Sequence, residues 1–416
     1  MREIKIPLGA KVILDSLHNE GYDAYVVGGC VRDSLLGIEP HDWDICTSAT
    51  PQEVIDILTD YEVIQTGIKH GTVTAISMGM LSLSDGYEIT TFRCDGDYYD
   101  NRHPSSVEFV RDLREDLSRR DFTINAIAYS EETGVIDYNN GLYDLDNGVV
   151  ACVGNPDDRF AEDALRIMRA MRFASTYGFS IDSATAESIH KNKDRLNNIA
   201  VERVQAELLK ILKGKGALDI LLDYSDVIAT IIPELKPCIG FEQNNRYHQY
   251  TVYEHIAHAV SNYDGNDSSA KLALLLHDIG KPECYTEDEN GGHFHGHGII
   301  SHDIAERVVE RLKLDNKTRA EVLELVLYHD SVIEPTPKTV RRWLNRIGEE
   351  QFRRLLQLRM ADIKAHAFGT QESRIMKCDM LSEITATVLK EAQCFSLKDL
   401  EIDGCDVMSI AHLPEG

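Results

Sequence analysis

The stretch HDWDIC carries two carboxylates, Asp42 and Asp44, two positions apart, and on a strand that spacing projects both from one face. Side-by-side carboxylates repel each other unless a cation lies between them, so the pair points to Mg²⁺. Upstream, AYVVGGCVRDSLLG reads as strand, Gly28-Gly29 turn and helix, which aims backbone N–H groups at one spot suited to a triphosphate. Arg32, early in that helix, offers a fork-shaped donor to phosphate oxygens. Glu88 in YEITTF lies on a strand that could run alongside and supply a third carboxylate. Such a centre suits nucleotidyl transfer, because metal ions held there would lower the pKa of an attacking 3′-hydroxyl and neutralise a leaving pyrophosphate. The alternative for Asp42 and Asp44 is a turn or capping role.

A second group of residues is rich in imidazole. His255 in VYEHIAHAV, His277-Asp278 in LALLLHDIGKP, His297 in HFHGHGIISHD and His329-Asp330 in VLYHD follow one another along the chain. Several imidazoles beside a carboxylate suit a transition metal better than Mg²⁺. A His-Asp pair straight after the apolar run LALLL is costly to bury without partners, which supports metal ligation by His255, His277, Asp278 and His329. A scaffold that no longer binds metal is the alternative reading. His293 and His295 read as loop residues and are not placed in the site.

These residues need at least two domains to hold them, since 416 residues exceed what one hydrophobic core usually serves. Short β-type runs (AYVVGG, WDIC, TVTAIS, YEITTF, VEFV) dominate to about residue 150. Beyond Asp157 the 3.6-residue period takes over, in RFAEDALRIMRAMRFAS, ERVQAELLKILKG, VYEHIAHAV, SHDIAERVVERLKL, RAEVLELVLYHD and QFRRLLQLRMADIKAHA. The expected fold class is α+β: a mixed-sheet head followed by all-helical segments.

With 43 basic and 69 acidic residues the net charge is −26, which argues against a protein that grips nucleic acid over its whole surface. Screening over roughly 8 Å still permits one local basic face. Lys338, Arg341, Arg342, Arg346, Arg353, Arg354 and Arg359 offer such a face, or else a solvated helix surface. Nine cysteines without a CxxC pair suggest reduced thiols and a cytoplasmic protein. The charged N-terminus and the lack of a long apolar run point away from export and from membranes.

GGCVRDSLLG followed by HDWDICT resembles the signature of the CCA-adding enzyme and bacterial poly(A) polymerase family, within the polymerase-β-like nucleotidyltransferases. TTFRCDGDYYDNRHPSSVEFV, RRDFTINAIAY, RFAEDALRIMRAMRF and ERVQAELLKIL follow in the family's order, over roughly residues 25 to 212. The histidine series is similar to that of HD-type phosphohydrolases.

The resemblance implies metals on Asp42 and Asp44, with Glu88 as third carboxylate, and a nucleotide held by Gly29, Arg32 and Arg120. Asp121 and Asn125 would brace the site. It further implies a protein template, Asp163 and Arg166, that reads the incoming base, with Arg169 and Arg172 around the nucleotide. On one helix Asp163 and Arg166 would be neighbours, whereas Arg172, half a turn away, could serve RNA or a salt bridge. The implied partners are the tRNA 3′ end, CTP and ATP. The implied organisation is a head at 1–150, a neck at 151–235, an HD body at 236–350 and a tail at 351–416.

Within the family the template block does not separate CCA-adding from CC-adding, A-adding or poly(A)-adding members. The loop RCDGDYYDNRHPSSVEFV resembles that of complete CCA-adding enzymes. The closing stretch FSLKDLEIDGCDVMSIAHLPEG resembles the family's last element but stops early, so a shortened tail is expected.

Overall fold

The computed structural model describes residues 4–77, 86–96, 106–289 and 291–391. The stretch 78–85 ahead of Glu88, residues 97–105 of the expected nucleotide loop and the closing segment 395–416 lie outside the described residues. The chain forms two compact units, Met1–Gly216 and Ala217–Gly416.

In the first unit, α1 (Leu8–Asn19) buries Ala10, Ile13, Leu14 and Leu17, the one-sided stripe of a helix laid on a core. The strands are β1 (Ala24–Val27), β2 (Asp44–Thr47), β3 (Tyr61–Ile64), β4 (Thr72–Ser77), β5 (Gly86–Thr91), β6 (Arg93–Asp95), β7 (Val107–Phe109), β8 (Ile127–Ser130) and β9 (Gly134–Asp137), with a short parallel pair, Val149–Val150 and Ser180–Ile181, in the neck. Seven of them make one sheet in the order β3-β4-β5-β2-β1-β8-β9, and β6 pairs with β7 separately. Within the large sheet β2 and β5 run parallel and the other pairs antiparallel. Strands β3, β8 and β9 were not among the expected runs; Ile127–Ser130 is buried throughout and so lacks the half-buried alternation, whereas Tyr61–Ile64 alternates over only four residues.

Between the strands lie α2 (Gly29–Leu35), α3 (Pro51–Ile57) and α4 (Leu113–Ser118), followed by α5 (Gly141–Asn147). Thr50 and Glu53 close a reciprocal capping box at the start of α3, with Pro51 in the first turn. The neck helices are α6 (Pro156–Glu162), α7 (Leu165–Tyr177), α8 (Ser183–Asn192) and α9 (Val201–Lys213), with α7 packed on α9. The expected single helix through RFAEDALRIMRAMRFAS is therefore two. Asp163 breaks it: its backbone is extended (φ −140°, ψ 104°) and its carboxylate accepts from the Leu165 N–H at 2.9 Å. A short acid that caps the next helix competes with continuation of the first.

The second unit is helical: α10 (Ala217–Asp223), α11 (Ser225–Ile231), α12 (Val252–Ser261), α13 (Ser268–Leu276), α14 (Lys281–Cys284), α15 (His297–Arg311), α16 (Asn316–Tyr328), α17 (Pro337–Ile347), α18 (Glu349–Lys364) and α19 (Glu372–Lys390). Helix α13 is buried on every side, Ser269 to Leu276, and α12, α16 and α18 pack around it. Apolar residues all around a helix are what a central position requires.

Candidate active site

Register places the head's carboxylates. Asp44 opens β2 opposite Glu88 of β5, and Asp42 precedes the strand rather than lying on it. Burial raises the Asp44 pKa, and the charges of Glu88 and Asp42 push it further, against Arg120. A carboxylate crowded by two others in this way is an incomplete electrostatic arrangement that a divalent cation would complete.

The turn beside it depends on glycine. Gly28 adopts φ 79°, a left-handed conformation open to glycine, and a Cβ there would lie 3.2 Å from Arg120 Nη1. Arg120 thus runs beneath the turn. Its Nη2 donates to Asp116 Oδ2 at 3.1 Å, while its buried Nε has no partner among the described residues. Arg32 is buried; it donates to Asn125 Oδ1 and to Asp33 Oδ1 at 2.9 Å, and its guanidinium lies 5.0 Å from the ring centres of both Phe173 and Tyr177. Only Arg32 Nη2 faces the turn, 3.6 Å from where a Gly29 Cβ would sit. Arg32 is more wall than open phosphate donor.

Asp121 and Asn125 make the brace. Asn125 Nδ2 donates to Asp121 Oδ1 at 3.0 Å, and Arg169 Nε donates to Asp121 Oδ2 at 2.8 Å. Against its burial, Arg169 and Asn125 hold the Asp121 carboxyl at about 2. Arg172 turns away to Glu207 and lies 3.9 Å over the Phe173 ring, the salt-bridge option for that residue. Arg166 N–H donates to the Asp163 carbonyl at 3.0 Å, so the two stand one turn apart, but their side chains are engaged elsewhere. Asp163 Oδ2 accepts from Arg203 at 3.1 Å, and Arg166 reaches back to Glu162 and the Arg159 carbonyl. Arg203 and Asp116 are site neighbours that the sequence reading did not single out; Arg203 stands in ERVQAELLKIL, the block quoted for its order alone.

The second unit gathers His255, His277, Asp278 and His329 as expected from their order. His255 Nε2 and His277 Nε2 lie 3.3 and 3.2 Å from Asp278 Oδ2, and His297 and His329 lie 3.3 and 3.7 Å from Asp278 Oδ1. Asp362, missed in the sequence, closes the set at 2.9 Å from His255 Nε2 and 3.6 Å from His277 Nε2. Its spacing to His366, one helical turn on, was the available signal; the two form a ligand-sized group with His255.

Three Nδ1 atoms face backbone carbonyls: His277 to Leu274 at 2.7 Å, His297 to Phe294 at 2.9 Å and His329 to Val326 at 2.7 Å. A carbonyl only accepts, so each Nδ1 carries a proton and Nε2 is the ring atom turned inward. His297 and His329 oppose their Nε2 atoms at 3.0 Å, beside the Asp278 carboxylate. Ring nitrogens and carboxylate oxygens converging at these distances fit a cation, and imidazoles oriented through Nδ1 are the usual support of a metal ligand. Lys281 Nζ, 2.7 Å from Asp278 Oδ2, supplies one buried positive charge. The basic face is largely committed elsewhere: Arg346 stacks on Tyr328 and Trp343, Arg353 pairs with Glu349, and Arg354 with Asp267, Glu321 and Glu350.

The mixed sheet with its carboxylates, the helical neck and the histidine-rich body define a polymerase-β-like nucleotidyltransferase head carried ahead of an HD domain. Residues 24–151 match the Poly A polymerase head domain family, 178–239 the probable RNA and SrmB-binding site of polymerase A, and 246–366 the HD domain. The CCA-adding enzymes of Ligilactobacillus salivarius and Limosilactobacillus reuteri are 47% and 50% identical over 214 and 215 residues. Those matches cover 51% and 52% of this chain, and the chain spans about half the length of these curated relatives. The crystal structure of Bacillus stearothermophilus CCA-adding enzyme in complex with CTP is 29% identical, with 99% of this chain and 90% of that chain covered at a TM-score of 0.73. Thermotoga maritima CCA-adding enzyme complexed with tRNA shares the fold at 20% identity, with 98% and 89% covered and a TM-score of 0.59. Three stretches of the chain thus each match one of these family models, and about half of it is similar in sequence to CCA-adding enzymes.

Proposed function

We propose that the chain adds C, C and A to the 3′ end of tRNA, using CTP and ATP without a nucleic-acid template. The observation that carries this is the register of Asp44 against Glu88, next to Asp42, Arg120 and the Gly28–Gly29 turn. Asp42 and Asp44, with Glu88, are the residues to hold Mg²⁺, which when bound activates the 3′-hydroxyl and offsets charge on pyrophosphate. Gly29 and Arg120 face the triphosphate, and Arg32 with Asn125 keeps that wall rigid.

Base choice falls to Asp163 and Arg166. Cytosine and adenine both present an exocyclic amine beside a ring-nitrogen acceptor, which one carboxylate and one guanidinium can meet; guanine and uracil do not offer that order. By analogy with base readout each such contact is worth about 1–3 kcal/mol. Reading a base requires Asp163 to exchange Arg203, and Arg166 to exchange Glu162, for the nucleotide. Arg169 acts through Asp121, and Arg172 through Glu207. The division into head (1–150), neck (151–235), HD body (236–350, completed by Asp362 from the segment that follows) and tail (351–416), and a cytoplasmic site of action, belong to the same proposal. Among the described residues no helix is long and apolar enough to cross a membrane.

The test is incubation with Mg²⁺, CTP and ATP on tRNAs that lack one, two or three terminal nucleotides, sized to one nucleotide. Growth that stops after C, C and A is expected; two C additions, a lone A or an unlimited A tail would reassign the activity within the family. A second reading, favoured by the convergent acceptors around Asp278, is metal-dependent phosphohydrolysis in the HD body. A transition metal held by His255, His277, Asp278 and Asp362, with His329 and His297 adjacent, would activate water there.

A further inference from the structure

A cavity of about 220 Å³ opens beside the histidine cluster, walled by Arg359, Arg374, Lys377 and Asp330, with Val332 and Leu381 among its apolar lining. Three cations face one carboxylate there, in a chain whose net charge is −26. Glu334 and Asp362 answer Lys377 and Arg374, so it is the spare donors of Arg359 and Arg374 rather than net charge that mark the cavity.

Each cation is placed differently. Arg359, on α18, makes one side-chain hydrogen bond among the described residues, to the Ser331 carbonyl. A guanidinium has five N–H donors and stays charged when buried, so Arg359 keeps donors to spare. Arg374, on α19, approaches Asp362 Oδ2 at 3.9 Å, beyond hydrogen-bond reach. Lys377, one turn further along α19, reaches Glu334 at 3.1 Å from the rim.

Asp362 connects cavity and cluster. Its Oδ1 faces His255 and His277, whereas its Oδ2 faces Arg374. An anion held by Arg359 and Arg374 would therefore lie across one carboxylate from the metal-ligand set. The cavity is smaller than the roughly 300–1,000 Å³ that encloses a drug-sized molecule, which suits a head group whose remainder stays outside. Planar forks such as Arg359 and Arg374 match phosphate oxygens two at a time.

We propose that this cavity binds the phosphate group of the molecule on which the HD centre acts, a phosphate ester of a nucleotide or of an RNA end. The substrate class rests on the phosphohydrolase reading above; phosphate binding by the cavity does not.

The experiment separates the two. Inorganic phosphate is titrated calorimetrically into the metal-free full chain, then into Arg359→Gln and Lys377→Glu. The second variant reverses a rim charge without touching a backbone bond, so it keeps the test open if the first misfolds. At least a tenfold loss of affinity in Lys377→Glu is expected, and affinity equal to wild type in both variants would overturn the proposal. The metal-loaded chain is next offered a nucleoside 3′-monophosphate and an oligoribonucleotide ending in a 3′-phosphate. A KM raised by Lys377→Glu with kcat unchanged supports the proposal; a rise for both substrates assigns the phosphate itself, and a rise for the oligonucleotide alone assigns RNA ends. Loss of phosphate binding without hydrolysis of either substrate would leave the cavity an anion site and sink the phosphohydrolase reading.

Discussion

Asp44 and Glu88 are register partners across the parallel pair β2 and β5, and burial together with the charge of Glu88 raises the Asp44 pKa. Because the folded-state value is raised, the contribution of Asp44 to stability is fully present below the ordinary carboxylate range and is lost as pH rises through the raised value. Asp44→Asn should therefore make the metal-free protein more resistant to heat at neutral pH and less so, relative to wild type, as pH falls toward 4. Nucleotide addition should drop roughly 10²- to 10⁴-fold, the equivalent of several kcal/mol of metal-borne charge stabilisation. Melting curves with and without Mg²⁺ check the first part; equal melting at neutral pH would show that the three carboxylates do not strain one another.

Asp121 and Arg169 form the partly buried pair that ties the neck helix α7 to the strand-leading segment of the head. Removing one partner of a fully buried pair costs about 3–5 kcal/mol; with Arg169 35% exposed, Asp121→Asn should cost nearer 2 kcal/mol. The Asp121 carboxyl is held at about 2, below its unfolded value, so the stabilisation exists above pH 4 and fades as pH falls toward 2. Urea unfolding at pH 7 and pH 2.5 measures it, and a gap between wild type and variant that stays constant between those pH values would contradict the assignment.

Much of the site was legible in the chain because it lies in short contiguous motifs. Gly28-Gly29, Asp42-x-Asp44 and His277-Asp278 each lie within a few residues, although Asp42 falls just before the strand expected to carry it, and TVTAIS forms β4 with the expected bounds. What was not legible depends on the third dimension. Asp163 looked like a helix-interior residue because RFAEDALRIMRAMRF keeps its period across the break; only the cap to Leu165 shows the interruption. Asp362 sits in an ordinary amphipathic helix, where its one-turn spacing to His366 is the sole local sign, and it meets His255 and His277 only because α18 packs against α12 and α13. Arg32 read as an open donor because sequence shows its charge but not Asn125, Phe173 and Tyr177 around it.

Arg203 holds Asp163 at 3.1 Å, and if Asp163 reads the incoming base then Arg203 sets how it is presented. Arg203→Ala leaves the cap to Leu165 intact, so the fold should change little. Discrimination of CTP over UTP should fall about tenfold, close to 1.4 kcal/mol of a contact worth about 1–3 kcal/mol. Single-turnover addition with each nucleotide measures the ratio; an unaltered ratio with reduced rate for both would assign Arg203 to architecture alone.

Asp362 approaches His255 Nε2 at 2.9 Å from a helix that the sequence reading placed in the tail. Asp362→Asn replaces an anionic oxygen by a neutral amide while leaving size and packing nearly unchanged. If His255, His277, Asp278 and Asp362 hold one transition metal, the variant should retain it roughly 10- to 100-fold less tightly, the range seen when groups that support a metal site are altered. Nucleotide addition by the head should be unchanged, since it rests on Asp42 and Asp44. Metal content after dialysis against a graded chelator series reports the affinity directly. Equal retention by wild type and Asp362→Asn would place the ion instead among Asp278, His297 and His329, the other group of ligand-sized spacing around Asp278, and His329→Ala would then be the variant that releases it.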